Sequence, residues 1–152
     1  MIDQMPLAIG ARRRRAAFAN RQEAFDYWRA KKLFQDWSDE SLWAYTESML
    51  REAGDGTGLV VAWPPEWEAH YYETIETEPW PIVSRLAALD LPVLVINGQN
   101  TDTFTAEPAA HMRNLLPQAT FHTVPGHGHL FPLAAPDVTA HLIRDWLREV
   151  GL

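Results

Sequence analysis

The sequence predicts an α/β fold class, and three observations lead to it. Pro92-Val93-Leu94-Val95-Ile96-Asn97 is a short, continuous β-branched run, as expected of a strand covered on both faces. A second strand-like stretch, about Ala119 to Val124, is flanked by two helix-like segments, so the order is strand–helix–strand–helix. The ninety or so residues before this read as mainly helical and hold six of the seven tryptophans, between Trp28 and Trp80. Two regions are therefore expected, residues 1–89 as a helical, aromatic-rich layer and residues 90–152 as helices covering parallel strands.

Each element has a local reason. Asn20 is placed to cap a helix, Glu23 sits three residues on, and Phe25, Trp28 and Lys32 share a face. A second helix is expected from Ser38, with Asp39 and Glu40 in its first turn, where carboxylates suit the helix dipole. Its stripe is Leu42, Tyr45 and Met49, and it is expected to stop near Gly54. Asp55-Gly56-Thr57-Gly58 reads as a turn, and Leu59 to Ala62 as a short extended piece. Pro65 suits the first turn of a third helix, from Glu66 to about Glu76. Pro79 and Pro81 interrupt before a short helix through Val83 to Ala88. After the Val93 strand, a polar loop from Gly98 to Phe104 leads to a helix from about Ala106 to Leu116, which Pro117 stops. The last helix is expected from about Pro136 to Val150, and a right-handed crossover joins the strands.

Composition narrows the function classes. The chain has 152 residues, 47% hydrophobic and 22% charged, close to the averages of folded domains. With no cysteine, disulfides and thiolate nucleophiles are excluded. No apolar run approaches the ~20 residues of a membrane span, and no apolar signal region opens the chain, so a cytoplasmic protein without a membrane partner is expected. Up to Lys32, eight Lys and Arg face three acids, whereas the remainder carries a net charge of −12 within a total of −7. The acidic bulk makes nucleic acid a poor partner. Arg12-Arg13-Arg14-Arg15 reads as a solvated basic face in preference to a polyanion site.

Two titratable groups follow the two strands, where loops at strand carboxyl ends gather ligands in open α/β sheets. Asp102 lies after the first and His129 after the second. An Asp accepting a hydrogen bond from one imidazole nitrogen fixes the tautomer and leaves the other nitrogen free as a general base. Spacing alone leaves open whether the loops meet. Phe104 and Leu130 flank the pair and are candidate substrate contacts. So are Trp63 and Trp67, which with Tyr71 and Tyr72 read equally well as a pocket wall or as ordinary helix packing. His122, His127 and His129 would need to converge to bind zinc, so no metal is expected. His127 alone reads as a solvated loop residue, and His70, His111 and His141 as surface or boundary residues.

The stretch LPVLVINGQNTDTFTAEPAAHMRNLLPQATFHTVPGHGHLFPLAAPDVTAHLIRDWL resembles the C-terminal part of α/β-hydrolase-fold enzymes. The resemblance implies that the triad acid is Asp102, in Gly98-Gln99-Asn100-Thr101-Asp102, and that the catalytic histidine is His129, in the PGHGH motif. The helix opening at Pro136 also matches. The resemblance implies that the aromatic helices before Asp90 are the cap such enzymes insert, and that MIDQMPLAIG and the arginines follow the strand after the nucleophile helix. In that family the nucleophile is a serine in a G-x-S-x-G turn. No such motif occurs here. Ser38, Ser41, Ser48 and Ser84 lack flanking glycines and fall in or at the start of helical segments.

The implied function is the C-terminal portion of a hydrolase acting on an ester or similar acyl compound with an apolar or aromatic group, its serine outside this chain. No cofactor is implied. Epoxide-opening or dehalogenating chemistry with an Asp nucleophile remains open. So do a non-catalytic remnant that binds a partner and one half of a split enzyme. Two strands are too few to cover Val93 to Ile96, so an exposed sheet edge is expected, with self-association or pairing to an N-terminal half.

Overall fold

The computed structural model describes residues 6–75 and 79–152. They fall into two compact units, Met1–Thr77 and Glu78–Leu152.

The first unit opens with α1 (Pro6–Arg13), and α2 (Arg21–Arg29) follows the two-residue strand β1 (Ala17–Phe18). Next come a single 3-10 turn at Lys32–Phe34 and α3 (Asp39–Ser48). Strands β2 (Leu50–Glu52) and β3 (Leu59–Val61) precede α4 (Pro65–Thr74). The unit is less purely helical than its sequence suggests, since β1, β3 and β2 form an antiparallel sheet in that order. The helix expected to continue to Gly54 stops at Ser48, because Leu50, Arg51 and Glu52 pair with Val61, Val60 and Leu59. The expected end of the third helix, at Glu76, lies outside the described residues.

Aromatic packing accounts for three of the five tryptophans in this unit. Trp28 and Trp37 are buried and meet the Tyr45 ring edge-on, at centroid distances of 5.1 and 5.6 Å. Trp43 stacks on Phe25 at 4.4 Å. Such pairs add to the burial of Leu42, Leu50, Leu59 and Val61 around them. The burial raises the Tyr45 hydroxyl above its usual range. Trp63 and Trp67 take no part, being 51% and 64% exposed.

The basic run is not a free solvated face. Arg12 and Arg13 close α1, whose small residues Ala8 and Ala11 pack on Ala69 of α4. Arg12 reaches Glu66 at 3.2 Å and Glu73 at 2.5 Å, and Arg14 reaches Glu68 at 2.7 Å and the Trp63 carbonyl. Arg12 and Arg14 thus fasten the end of α1 to α4, whereas Arg15 meets Glu23 of α2 and Arg13 is exposed.

Asn20 caps α2 as its position suggests, its Oδ1 accepting from the Glu23 amide at 2.9 Å. The Glu23 carboxylate in turn accepts from the Ala19 amide and from Arg15, each at 2.6 Å. Those bonds, the Ala19 amide first, hold the Glu23 carboxyl below the usual carboxylate range. A group whose folded pKa is depressed stabilises the fold above its unfolded pKa of about 4.3, and that contribution disappears as pH falls through the folded value. Acidification from pH 6 to pH 3 is therefore expected to lower the denaturation midpoint more in the native protein than in Glu23→Gln. Equal losses in the two would exclude the linkage. At neutral pH, Asn20→Ala is expected to cost about 1 kcal/mol in urea titrations.

The second unit contains α5 (Trp80–Leu86), β4 (Leu94–Gly98), α6 (Ala106–Leu115), β5 (Thr120–Val124), α7 (Phe131–Ala134) and α8 (Pro136–Glu149). α5 groups here and not with the helices before it, and its Trp80 ring meets His111 of α6 edge-on at 4.5 Å. β4 and β5 are parallel, in a register running from Leu94↔Thr120 to Gly98↔Val124. Trp146 of α8 donates to Thr120 Oγ1 at 3.2 Å, tying that helix to the sheet. The core is thin. Among the described residues of this unit, only Leu116, Val124 and Phe131 are buried hydrophobics, and the run Val93 to Ile96 is only half-buried. A two-stranded sheet has too few neighbours to cover a strand whose composition suits burial on both faces.

Candidate functional site

The parallel register ends both strands at the same level, with Gly98 beside Val124. The loops leaving them are then stitched together. The Gln99 amide donates to the Val124 carbonyl at 2.9 Å and the Asn100 amide to the His127 carbonyl at 2.8 Å. Gln99 Oε1 accepts from the Gly126 amide at 3.0 Å, at a turn whose φ of +76° favours glycine. Gly98 is required for the approach. A Cβ built on it would lie 2.2 Å from the Gly128 carbonyl oxygen and 2.4 Å from that of His127.

This stitching places Asp102 Oδ1 3.0 Å from His129 Nδ1. The acid loop is braced by Thr101 Oγ1, which accepts from the Thr103 and Phe104 amides, both at 3.3 Å. α7 begins two residues after His129, and the Phe131 amide donates to the Gly128 carbonyl at 3.2 Å, which limits movement on that side. With Nδ1 engaged by the carboxylate, the His129 Nε2 is left to accept a proton. The pair is open to solvent, Asp102 being 82% and His129 40% exposed in their side chains.

His129 also lines a cavity of about 320 Å³ with Val95, Asn97, Phe104, Met112 and Phe131. The cavity thus includes Phe104 of the expected substrate contacts, whereas Leu130, although half-buried, is not among its lining residues. Met112 and Phe131 were not singled out from the sequence. Helical spacing would have placed Met112 on the inward face of α6, but nothing in the local sequence marks the short helix that carries Phe131. His127 is half-buried and contributes its carbonyl. His122 sits on β5 opposite Ile96. Among the described residues, no group of three or more His, Cys, Asp or Glu is placed to hold a metal ion. Nor is any helix among them long and apolar enough to cross a membrane.

The remaining substrate candidates, Trp63 and Trp67, belong to the first unit and line a separate groove there. Of the serines, Ser38 caps α3, Ser41 and Ser48 lie within it, and Ser84 lies in α5. None stands on a strand-to-helix turn.

No protein-family model and no curated protein matches the sequence. Solved structures do. An E-2-(acetamidomethylene)succinate hydrolase superposes with a TM-score of 0.78 at 18% identity, over 93% of this chain and 50% of its own. A peroxisomal alpha-beta-hydrolase from Saccharomyces cerevisiae gives 0.72 at 19% identity, over 97% of this chain and 40% of its own. An alpha/beta hydrolase from Novosphingobium aromaticivorans gives 0.70 at 21%, over 93% and 50%. The fold is the α/β-hydrolase fold, in part. This chain spans about half the length of the α/β-hydrolases it matches. Other structures of this fold that it resembles are described as esterases and as a thioesterase domain.

Proposed function

We propose that this chain is the C-terminal portion of an α/β-hydrolase that cleaves an ester or similar acyl substrate, its serine nucleophile lying outside these 152 residues. The observation that carries the reading is the Asp102 Oδ1–His129 Nδ1 contact of 3.0 Å at the rim of two stitched loops. In the complete site, His129 Nε2 takes the serine proton as the oxygen attacks the acyl carbon. It then returns that proton to the departing alkoxide. A water molecule, deprotonated by the same nitrogen, releases the acid and regenerates the serine. Asp102 stays ionised throughout, orienting the ring and stabilising the imidazolium. Phe104, with Leu130 beside His129, offers apolar surface to such a substrate, whereas Trp63 and Trp67 line their own groove in the first unit.

The half-buried Val93 to Ile96 run favours completion of the β4 edge by further strands, supplied by a nucleophile-bearing half in the same or a separate chain. The isolated chain is expected to hydrolyse p-nitrophenyl acetate no faster than its His129→Ala variant. Adding the segment encoded directly before Met1, fused or in trans, is expected to bring hydrolysis that depends on His129. Turnover by the isolated chain that disappears in His129→Ala would overturn the external nucleophile. A completed chain that binds acyl substrate without turnover would instead identify a non-catalytic relative.

A further inference from the structure

The first unit holds a groove of about 420 Å³ lined by Arg51, Ala62, Trp63, Pro64 and Trp67. Its two indoles are the ones left out of the aromatic core. Strand alternation buries Leu50 and turns Arg51 to the opposite face of β2, where it pairs in register with Val60. Arg12, Arg14, Arg15 and Arg29 of the same unit all meet carboxylates. The Arg51 side chain makes no ion pair or hydrogen bond among the described residues, and no acidic side chain lines the groove.

An uncommitted guanidinium presents a planar fork that matches a carboxylate, and indole faces beside it take an apolar or aromatic body. Neither element alone selects a ligand, but together they select a molecule with both ends. We propose that Arg51, Trp63 and Trp67 bind a small carboxylate with an apolar or aromatic body in this groove. The chain's net charge of −7 repels anions in general, so a preference for carboxylate has to come from a local cation.

The test is a titration of the 152-residue chain with 3-phenylpropionate and, separately, with its neutral amide. Binding is followed by the indole N–H resonances of Trp63 and Trp67, assigned with Trp63→Phe and Trp67→Phe. The carboxylate is expected to bind about fivefold tighter than the amide, as suits a solvent-exposed charge pair. Arg51→Gln should abolish the difference while leaving amide binding unchanged, and Arg51→Lys should restore part of it. Added salt should weaken only the carboxylate. Equal affinities, or an indifferent Arg51→Gln, would overturn the inference while amide-induced shifts left the aromatic contacts standing. If neither compound moves the two indoles, the groove is not a binding site and the inference falls.

Discussion

Gly98→Ala is expected to separate the loops that carry Asp102 and His129 and to cost the second unit about 3 kcal/mol, the upper end for forced overpacking. The added methyl would overlap two carbonyl oxygens and the Gly128 carbonyl carbon, the last at 2.8 Å. All three are main-chain atoms, so no side chain can swing away to make room. Relief requires the end of β4 to retreat from the His127–Gly128 segment by about an ångström, toward ordinary contact distance. That retreat breaks the Asn100–His127 hydrogen bond and, beyond it, the Asp102–His129 contact. Gly128→Ala is the matched control. Its Cβ meets only the Asn100 carbonyl oxygen, at 3.9 Å, so a change under about 0.5 kcal/mol is expected. Urea denaturation followed through Trp146 gives the stabilities. The His129 Nδ1–H resonance reports whether the pair survives. A Gly98→Ala protein with native stability and an intact resonance would show that the loops are held by something other than this approach.

The second large effect concerns chemistry. Once the nucleophile is supplied, His129→Ala is expected to lower kcat for ester hydrolysis by about 10⁶, the scale on which a triad loses its base. Asp102→Asn should cost about 10⁴. An asparagine that turns its NH₂ toward His129 donates where the carboxylate accepted, which leaves the proton on the wrong ring nitrogen. Single-turnover measurements with p-nitrophenyl acetate, monitored for acyl-enzyme, distinguish the step affected. Losses of less than tenfold in both variants would remove the pair from the reaction.

The second unit was readable because its signals are local. Pro92 and Pro117 bracket a β-branched run and a helix, and β4, α6, β5 and α8 begin and end within two residues of the expected positions. The first unit was harder to read. Leu50-Arg51-Glu52 continues the spacing of α3, and only pairing with β3 turns those residues into a strand. A two-residue strand such as β1 has no periodicity to detect. The arginine run looks solvated until Glu66, Glu68 and Glu73, more than fifty residues away, are known to face it. Trp28 and Trp67 show the same limit from the other side. Both are tryptophans on helices, yet one is core and the other exposed, a difference set by partners distant in sequence.

The matching ends of β4 and β5 have a broader consequence. Asp102 and His129 lie 27 residues apart, joined through a single helix, and their alignment rests on main-chain bonds within that one crossover. The pair is therefore a self-aligned cassette. On the proposed reading, exchanging the attacking group delivered to it, an alcohol for a carboxylate, would change the bond that is broken without rebuilding His129 and its partner.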